Sequence, residues 1–264
     1  MFNEFSKKEK PIRGLAGFGG GLANLGSVDP RSLPFVATGG IKSGPTGGYY
    51  YHVFNAGSST FQVTQGTGSN LEVLVQASGA AGNYGQPGPG NPAGGGGGGG
   101  GTRVHNLGDS IYPGDYAVTV GAGGFRPDSF PGQPSTEMRG KDSSFTGNPS
   151  SPGSLEAGGG NYGAPTPAYG GPGGPAGSVS GWANGSSVFS GAGGAGSPSR
   201  PGGVNGMQNN PPQPSSLWYY SYIVPGSGDN YGDGGYGGAP GQTPFDNGRP
   251  GNDGRIVVRY PDSI

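Results

Sequence analysis

The sequence predicts a fold that is mostly β and irregular: a small antiparallel β-sandwich plus packed polyglycine II helices with long loops, and an extended N-terminal arm. Of the 264 residues, 65 are Gly and 27 are Pro, and both residue types disfavour helix interiors. Only 30% of the residues are hydrophobic, which is too little for one conventional core across the whole chain. Short runs of alternating apolar residues occur, however, so packing is expected to be local.

Residues 34–125 carry most of the strand signal and are predicted to form the sandwich. Four runs are rich in β-branched or aromatic residues and are bounded by Gly, Asn, Ser or Pro. Apolar residues alternate in several of them, as in Tyr116, Val118 and Val120, so one face of each strand is expected to be buried. The predicted antiparallel strands are 49–54, 60–64, 71–76 and 115–120.

Residues 126–264 are predicted to form a glycine-rich body that ends in a strand at 255–260. That strand carries Ile256 and Val258, which need a covered face, and the other predicted sheet lies far back in the chain. The chain is therefore expected to return and pair with the N-terminal strands. Weaker strand signals at 143–146 and 154–157 could extend the same sheet.

The glycine runs have two physical alternatives, a solvated linker or close-packed extended helices. A polyproline II strand makes no internal hydrogen bonds, so its buried N–H and C=O groups need neighbouring strands, and only Gly lets two backbones approach that closely. Aromatic residues make up 10% of the chain and favour order, because disordered linkers are usually poor in them. Collagen is excluded because residues 94–101 are all Gly and the spacing elsewhere is irregular.

Residues 1–33 are predicted to form an extended arm that anchors the protein to another subunit. Isolated apolar side chains on a flexible backbone suit docking into a partner's groove better than folding alone. A frayed terminus is the open alternative. The predicted anchoring residues are Phe2, Phe5, Lys7, Lys8, Lys10, Arg13 and Phe18.

Charge and cysteine counts argue against several function classes. The net charge is −1, so there is no basic field to hold nucleic acid. The chain has no Cys, which excludes disulfide frameworks and thiolate metal sites. The N-terminal sequence lacks the apolar stretch of a secretory signal, and no run approaches the roughly 20 apolar residues of a membrane span. Neither secretion by that route nor membrane insertion is expected.

Catalytic and metal-binding chemistry has little support. The two histidines are His52, predicted to be structural within a strand, and His105, which has no partner at metal-ligand spacing. Asp229 and Asp233 resemble part of a calcium loop but lack the Glu that would complete it. No catalytic residue, metal or cofactor is predicted, and the protein is expected not to be an enzyme.

Two segments are candidates for a binding tip. Residues 207–225 join a proline-rich stretch to a dense aromatic run, and Trp and Tyr provide large contact area at low entropic cost. In the second segment, the dipeptide at 184–185 predicts a tight hairpin turn that would place Trp182 near a protruding tip. For the first segment, packing of the aromatics onto the glycine helices as a lid stays open. The predicted receptor-binding residues are Trp182, Leu217, Trp218, Tyr219, Tyr220 and Tyr222.

The chain contains four motifs in a fixed order: YYYHVFNAGSSTFQVTQ, LEVLVQASGAAG, YPGDYAVTVGAGG and DGRIVVRYPDSI. From about residue 45 to 264 it resembles the glycine-rich domain proteins found as virion appendages of tailed bacteriophages. The resemblance implies a tail fibre or tail-tip adhesin on the virion surface, made in the host cytoplasm. Its arm would bind other virion proteins and its glycine-rich end a host cell-surface protein or glycan.

Two other hypotheses of function compete with the adhesin. The first is a capsid or tail decoration protein that binds no receptor. The second, an ice-binding polyglycine bundle, needs a flat regular face, and the uneven repeat lengths argue against it. Formation of a homo-oligomer is left open.

Overall fold

The computed structural model describes residues 29, 31, 33–83, 96–108, 111–125, 136–162, 172, 174–176, 178–182, 186–191, 218, 231–234 and 249–263. Strands dominate this part of the chain, and its helical element is a short 3₁₀ helix at Thr136–Met138. The strands are β1 (Val36–Thr38), β2 (Ile41–Thr46), β3 (Tyr49–Phe54), β4 (Gly57–Gln65), β5 (Glu72–Gln76), β6 (Thr102–Asn106), β7 (Gly114–Val120), β8 (Ser143–Thr146), β9 (Ser154–Ala157), β10 (Val179–Ser180), β11 (Ser186–Gly191) and β12 (Arg255–Pro261).

The strands form two open antiparallel sheets of six strands each. The first sheet has the order β1-β4-β7-β8-β9-β10, and the second has the order β11-β6-β5-β12-β3-β2. Strand β12 lies between β5 and β3 and pairs antiparallel with both. A strand far along the sequence therefore joins β5 and β3 in the interior of the second sheet.

The mostly β, antiparallel prediction is confirmed. Strand 49–54 is observed with the predicted bounds, the strands predicted at 60–64, 71–76 and 115–120 are observed as β4, β5 and β7, and the weaker signals correspond to β8 and β9. Strands β1, β2, β6, β10 and β11 were not predicted, because short segments such as TRVHN carry few apolar residues in an alternating pattern. The predicted arm lies outside the described residues, apart from 29, 31 and 33.

The hydrophobic core lies between the two sheets. Phe61, Tyr116 and Phe145 of the first sheet are fully buried, and their ring centroids lie 5.7 to 6.1 Å apart. Alternate residues of the second sheet, including Val73 and Ile256, belong to the same cluster. Aromatic pairs at such distances contribute about 0.5–1.5 kcal/mol beyond the burial of their area. These rings therefore add to the stability that the buried apolar residues of both sheets provide.

His52 is a buried core residue, in keeping with the structural role predicted for it. Its Nδ1 lies 2.7 Å from the carbonyl oxygen of Gly39, which can only accept, so this nitrogen donates. Its Nε2 then accepts from the Tyr260 hydroxyl at 3.2 Å. Burial lowers the pKa of His52 and, with a smaller contribution from Tyr50, raises the pKa of Tyr260 to about 12. Both groups are thus neutral at pH 7.

Stability is expected to fall as the pH drops below about 6.5. Burial also lowers the pKa of His105, with a smaller contribution from the charge of Arg103, so two histidines are held neutral in the folded chain. Above pH 6.5 both histidines are mostly neutral in the folded and in the unfolded chain. Below pH 6.5 the histidines of the unfolded chain bind more protons than those of the folded chain. The free energy of unfolding should decrease by at most about 1.4 kcal/mol per pH unit for each histidine. Urea unfolding at intervals from pH 7.5 to 5 measures this; a flat profile would contradict it, and His105→Gln should make the slope shallower.

Glycine-rich segments continue from the strands and bond to one another through the main chain. Segment 77–82 follows β5, and its N–H groups donate in chain order to the carbonyls of residues 101, 141, 252, 98, 138 and 249, at 2.8 to 3.3 Å. Residues three apart in this segment bond to the same neighbour: 77 and 80 bond to 96–101, 78 and 81 bond to 136–142, and 79 and 82 bond to 249–254. A strand within a sheet alternates between two sides instead, so this segment is bonded in a different manner from the sheets.

Segment 77–82 also receives bonds and close contacts from other segments. Gly124 donates to the Gly79 carbonyl at 2.8 Å, and Gly160 donates to the Ser78 carbonyl at 3.0 Å. A Cβ placed on Gly79 would lie 2.0 Å from the Asp233 carbonyl oxygen. The segments around 77–82 are 96–101, 121–125, 136–142, 158–162, 231–234 and 249–254. Their predicted polyglycine II conformation stays a prediction.

Candidate interaction surface

Two of the predicted receptor-binding residues, Trp182 and Trp218, lie in the described part of the chain, and the structure places them apart. Trp182 follows β10 at the edge of the first sheet, whereas Trp218 lies against the second sheet. Leu217, Tyr219, Tyr220 and Tyr222 lie outside the described residues. So do the predicted anchoring residues Phe2, Phe5, Lys7, Lys8, Lys10, Arg13 and Phe18.

Trp182 is a buried member of the core cluster, with 6% of its surface exposed. A Cβ on Gly153 would lie 2.3 Å from the Trp182 ring, so the absence of a side chain at Gly153 makes room for the indole. The residues at 183–185, where the hairpin turn was predicted, lie outside the described part, and the strands on either side of them belong to different sheets: β10 pairs with β9 and β11 with β6. The Trp182 side chain itself is not presented at a surface.

The surroundings of Trp218 follow from strand register. Ile256, Val258 and Tyr260 point into the core, so the alternate residues Val257 and Arg259 point to the opposite, outer face of the second sheet. Tyr51 on β3 and Glu72 on β5 pair directly with Arg259 and share that face. One row across three strands thus presents an aromatic ring, a cation and a carboxylate side by side.

Trp218 contacts this row through polar and aromatic interactions. Its indole Nε1 donates to Glu72 Oε2 at 2.6 Å, and Arg259 reaches the same oxygen through Nε at 3.0 Å and a second nitrogen at 2.8 Å. The Arg259 guanidinium also lies 4.2 Å from the ring centroid of Tyr49 and 4.5 Å from that of Trp218. The Tyr51 ring centroid lies 6.1 Å from that of Trp218. We call Tyr49, Tyr51, Glu72, Trp218 and Arg259 the Trp218 cluster.

The Trp218 cluster borders a second buried apolar patch on the same outer face. Leu74, Val104 and Val257 are fully buried, yet they do not belong to the core between the sheets. The second sheet is therefore covered on both faces at β5, β6 and β12. In the Arg259–Glu72 pair, 14% and 18% of the side chains are exposed, so water screens this pair less than an ordinary surface salt bridge.

Sequence reasoning found Trp218 but not its partners. Glu72 and Arg259 stand in strands that were correctly predicted, at the positions that alternate with the buried apolar residues. Their alternation would have placed both on an outer face. The contact itself depends on β12 lying next to β5, which strand patterns alone do not specify.

Among the described residues, no group of three or more His, Cys, Asp or Glu side chains could hold a metal ion. His52 and His105 are both buried, and neither lies in the Trp218 cluster. The described part of the chain also contains no helix of the length and apolar character needed to cross a membrane.

The arrangement around Trp218 is suited to holding a chain segment against the second sheet.

Replacing Glu72 with Gln is expected to loosen Trp218. The amide oxygen of Gln can still accept hydrogen bonds, but it carries no charge and loses the ion pair with Arg259, and hydrogen bonds to a charged group contribute about 1.5–3 kcal/mol. The indole N–H of Trp218 should therefore exchange with solvent at least about tenfold faster in NMR spectra. The only other tryptophan, Trp182, is an internal control that should not change. Equal exchange of the Trp218 indole in both proteins would show that Glu72 does not hold it.

Comparison with known families gives a match to most of the chain. Over residues 53–261 the sequence matches the family described as a glycine-rich domain. The match begins within β3 and ends with β12, so it spans most strands of both sheets together with the glycine-rich segments. Comparison with curated proteins finds no significant match.

Proposed function

Because the chain belongs to the glycine-rich domain family, we propose that its glycine-rich segments are polyglycine II helices that make a stiff support for a binding surface. The return of the same partner segment at every third residue of 77–82 supports this conformation, because a polyproline II-type helix has three residues per turn. The pair 158–161 and 172–175 supports it too, since Asn161 bonds to Pro172 and Gly158 to Pro175, three residues apart on each side.

The function we propose is that of a tail fibre or tail-tip adhesin on a bacteriophage virion, without enzymatic activity. The arm at 1–33 would bind other virion proteins, and the aromatic segment at 217–222 would contact a host cell-surface protein or glycan. Nucleic acid and membrane insertion have no part in this proposal.

The observation that carries the proposal is the anchoring of Trp218. Its indole is bonded to Glu72 and packed on Arg259, so one residue of the predicted binding segment is fixed on the sheet. A segment held in this way loses less conformational entropy when it binds a receptor. Trp218 would thus act as the root of the binding segment, with Leu217, Tyr219, Tyr220 and Tyr222 as contact residues.

A second candidate is a capsid or tail decoration protein that binds no receptor. The partial burial of Trp218 favours it, because an aromatic segment lying against the sheet can serve as a lid. In that case the aromatics would stabilise the fold.

Competition with infection tests the two candidates. If the protein is an adhesin, a saturating amount of purified protein should block adsorption of the virus to its host, and Tyr219→Ala with Tyr220→Ala should remove the block. Thermal unfolding of the variant serves as the control for folding. No competition at saturation would contradict the adhesin, and a marked loss of stability without loss of competition would show that Tyr219 and Tyr220 stabilise the fold and do not contact the receptor.

A further inference from the structure

A cleft opens on the first sheet where its outer face meets the glycine-rich segments. Its volume is about 390 Å³, within the range of roughly 300–1,000 Å³ that is typical of small-molecule sites. The described residues that line it provide two carboxylates, one hydroxyl and a small apolar surface: Asp142, Glu156, Ser178, Ala157, Pro175 and Ala176. We propose that this cleft binds a neutral saccharide.

The walls of the cleft are tied together through the main chain. Glu156 and Ser178 exchange two backbone hydrogen bonds of 3.0 Å, and Gly158 donates to the Pro175 carbonyl at 3.2 Å. A Cβ on Gly158 would lie 2.4 Å from the Pro175 ring, so the two walls are in close contact at the base. The cleft is thus formed before any ligand arrives.

The two carboxylates are oriented by the protein. Asp142 Oδ1 accepts the N–H of Gly159 at 2.8 Å. The Ser154 and Ser178 hydroxyls lie 3.3 and 3.4 Å from the two oxygens of Glu156, at the long end of the hydrogen-bond range. Each carboxylate therefore has a preferred direction and keeps accepting capacity for a ligand.

The chemistry of the lining favours a neutral polyhydroxyl ligand. Carboxylates accept strong, charge-assisted hydrogen bonds from hydroxyl groups, and the Pro175 ring with its alanine neighbours offers apolar contact to the C–H face of a sugar. The described lining contains no Lys, Arg or His, so an anionic sugar would meet two negative charges without compensation. This inference rests on the proposed function, because it names a ligand class for the host surface, and it uses residues other than those predicted at 217–222.

Titration of the full chain with free sugars, followed by amide NMR, tests the site. Glucose, galactose and N-acetylglucosamine are the probes, with N-acetylneuraminic acid and butylamine as the anionic and cationic controls. At least one neutral sugar should shift the amide signals of Ala157, Gly158 and Ser178, and the shifts should saturate at millimolar sugar concentrations. Glu156→Gln should weaken that binding at least about tenfold, whereas the matched variant Glu137→Gln, an exposed carboxylate in the 3₁₀ helix, should leave it unchanged.

Two outcomes would overturn the proposal: no saturable shift with any neutral sugar, or saturation by butylamine alone. Adsorption assays separate this failure from failure of the proposed function. If the protein blocks adsorption but binds no sugar, the adhesin stands and the cleft does not. If sugar binds but adsorption is unaffected, the saccharide site stands and the adhesin does not.

Discussion

Replacing Gly79 with Ala is expected to destabilise the protein by about 3 kcal/mol or more, the upper end for overpacking a core. Gly79 lies in the middle of segment 77–82, and an added Cβ would lie 2.0 Å from the Asp233 carbonyl oxygen and 2.6 Å from the Gly234 nitrogen. Both obstacles are main-chain atoms, so no side-chain rotation can relieve them. Separating the two segments would also strain the bonds that Gly79 makes to Asn252 and Gly124.

Urea denaturation of the parent protein and of Gly79→Ala measures the loss in free energy of unfolding. In thermal unfolding, the melting temperature of the variant should be lower by roughly 6–12 °C. Gly47→Ala is the matched control. Gly47 has a φ of +58° and nothing within 4 Å of its Cβ position, so Ala there meets only the left-handed backbone cost of about 1 kcal/mol. Equal losses at the two positions would show that the close approach at Gly79 does not limit stability.

Deletion of residues 255–264 is expected to prevent folding. β12 is an interior strand of the second sheet, and Ile256, Val257 and Val258 are all fully buried. Burial of three such side chains contributes about 5–9 kcal/mol, which is comparable with the whole stability of a typical domain of roughly 5–15 kcal/mol. The deletion would also leave β3 and β5 without their shared partner.

Circular dichroism and the loss of a cooperative unfolding transition would report this result. Deletion of 263–264 alone is the control, because Ser263 is exposed and β12 ends at Pro261. A cooperative transition in the longer deletion would show that the two sheets do not need the returning strand.

The strands could be predicted where side chains alternate. Phe61, Tyr116 and Ile256 stand at alternate positions of β-rich runs, and burial of one face follows from that spacing. The early edge strand β2 could not be predicted in this way, because all six of its residues are exposed and it contains Gly44 and Pro45. Edge strands are specified by pairing with a neighbour, so local composition carries little signal for them.

The candidate site was less predictable than the fold. Trp182 and Trp218 look equivalent as exposed aromatics in the sequence, yet Trp182 fills the space over Gly153 while Trp218 bonds to Glu72. Both outcomes depend on residues far away in the chain. The spacing of glycines likewise favours close packing but does not say which segments become neighbours.

Hydrogen exchange of the amides at 77–82 tests the central claim most directly. All six of these N–H groups donate to carbonyls of three neighbouring segments, so we predict exchange about as slow as that of Ile256, Val257 and Val258 in β12. Exchange at the rates of an unstructured peptide, alongside a protected β12, would contradict the claim that the glycine-rich segments are ordered and bonded to one another.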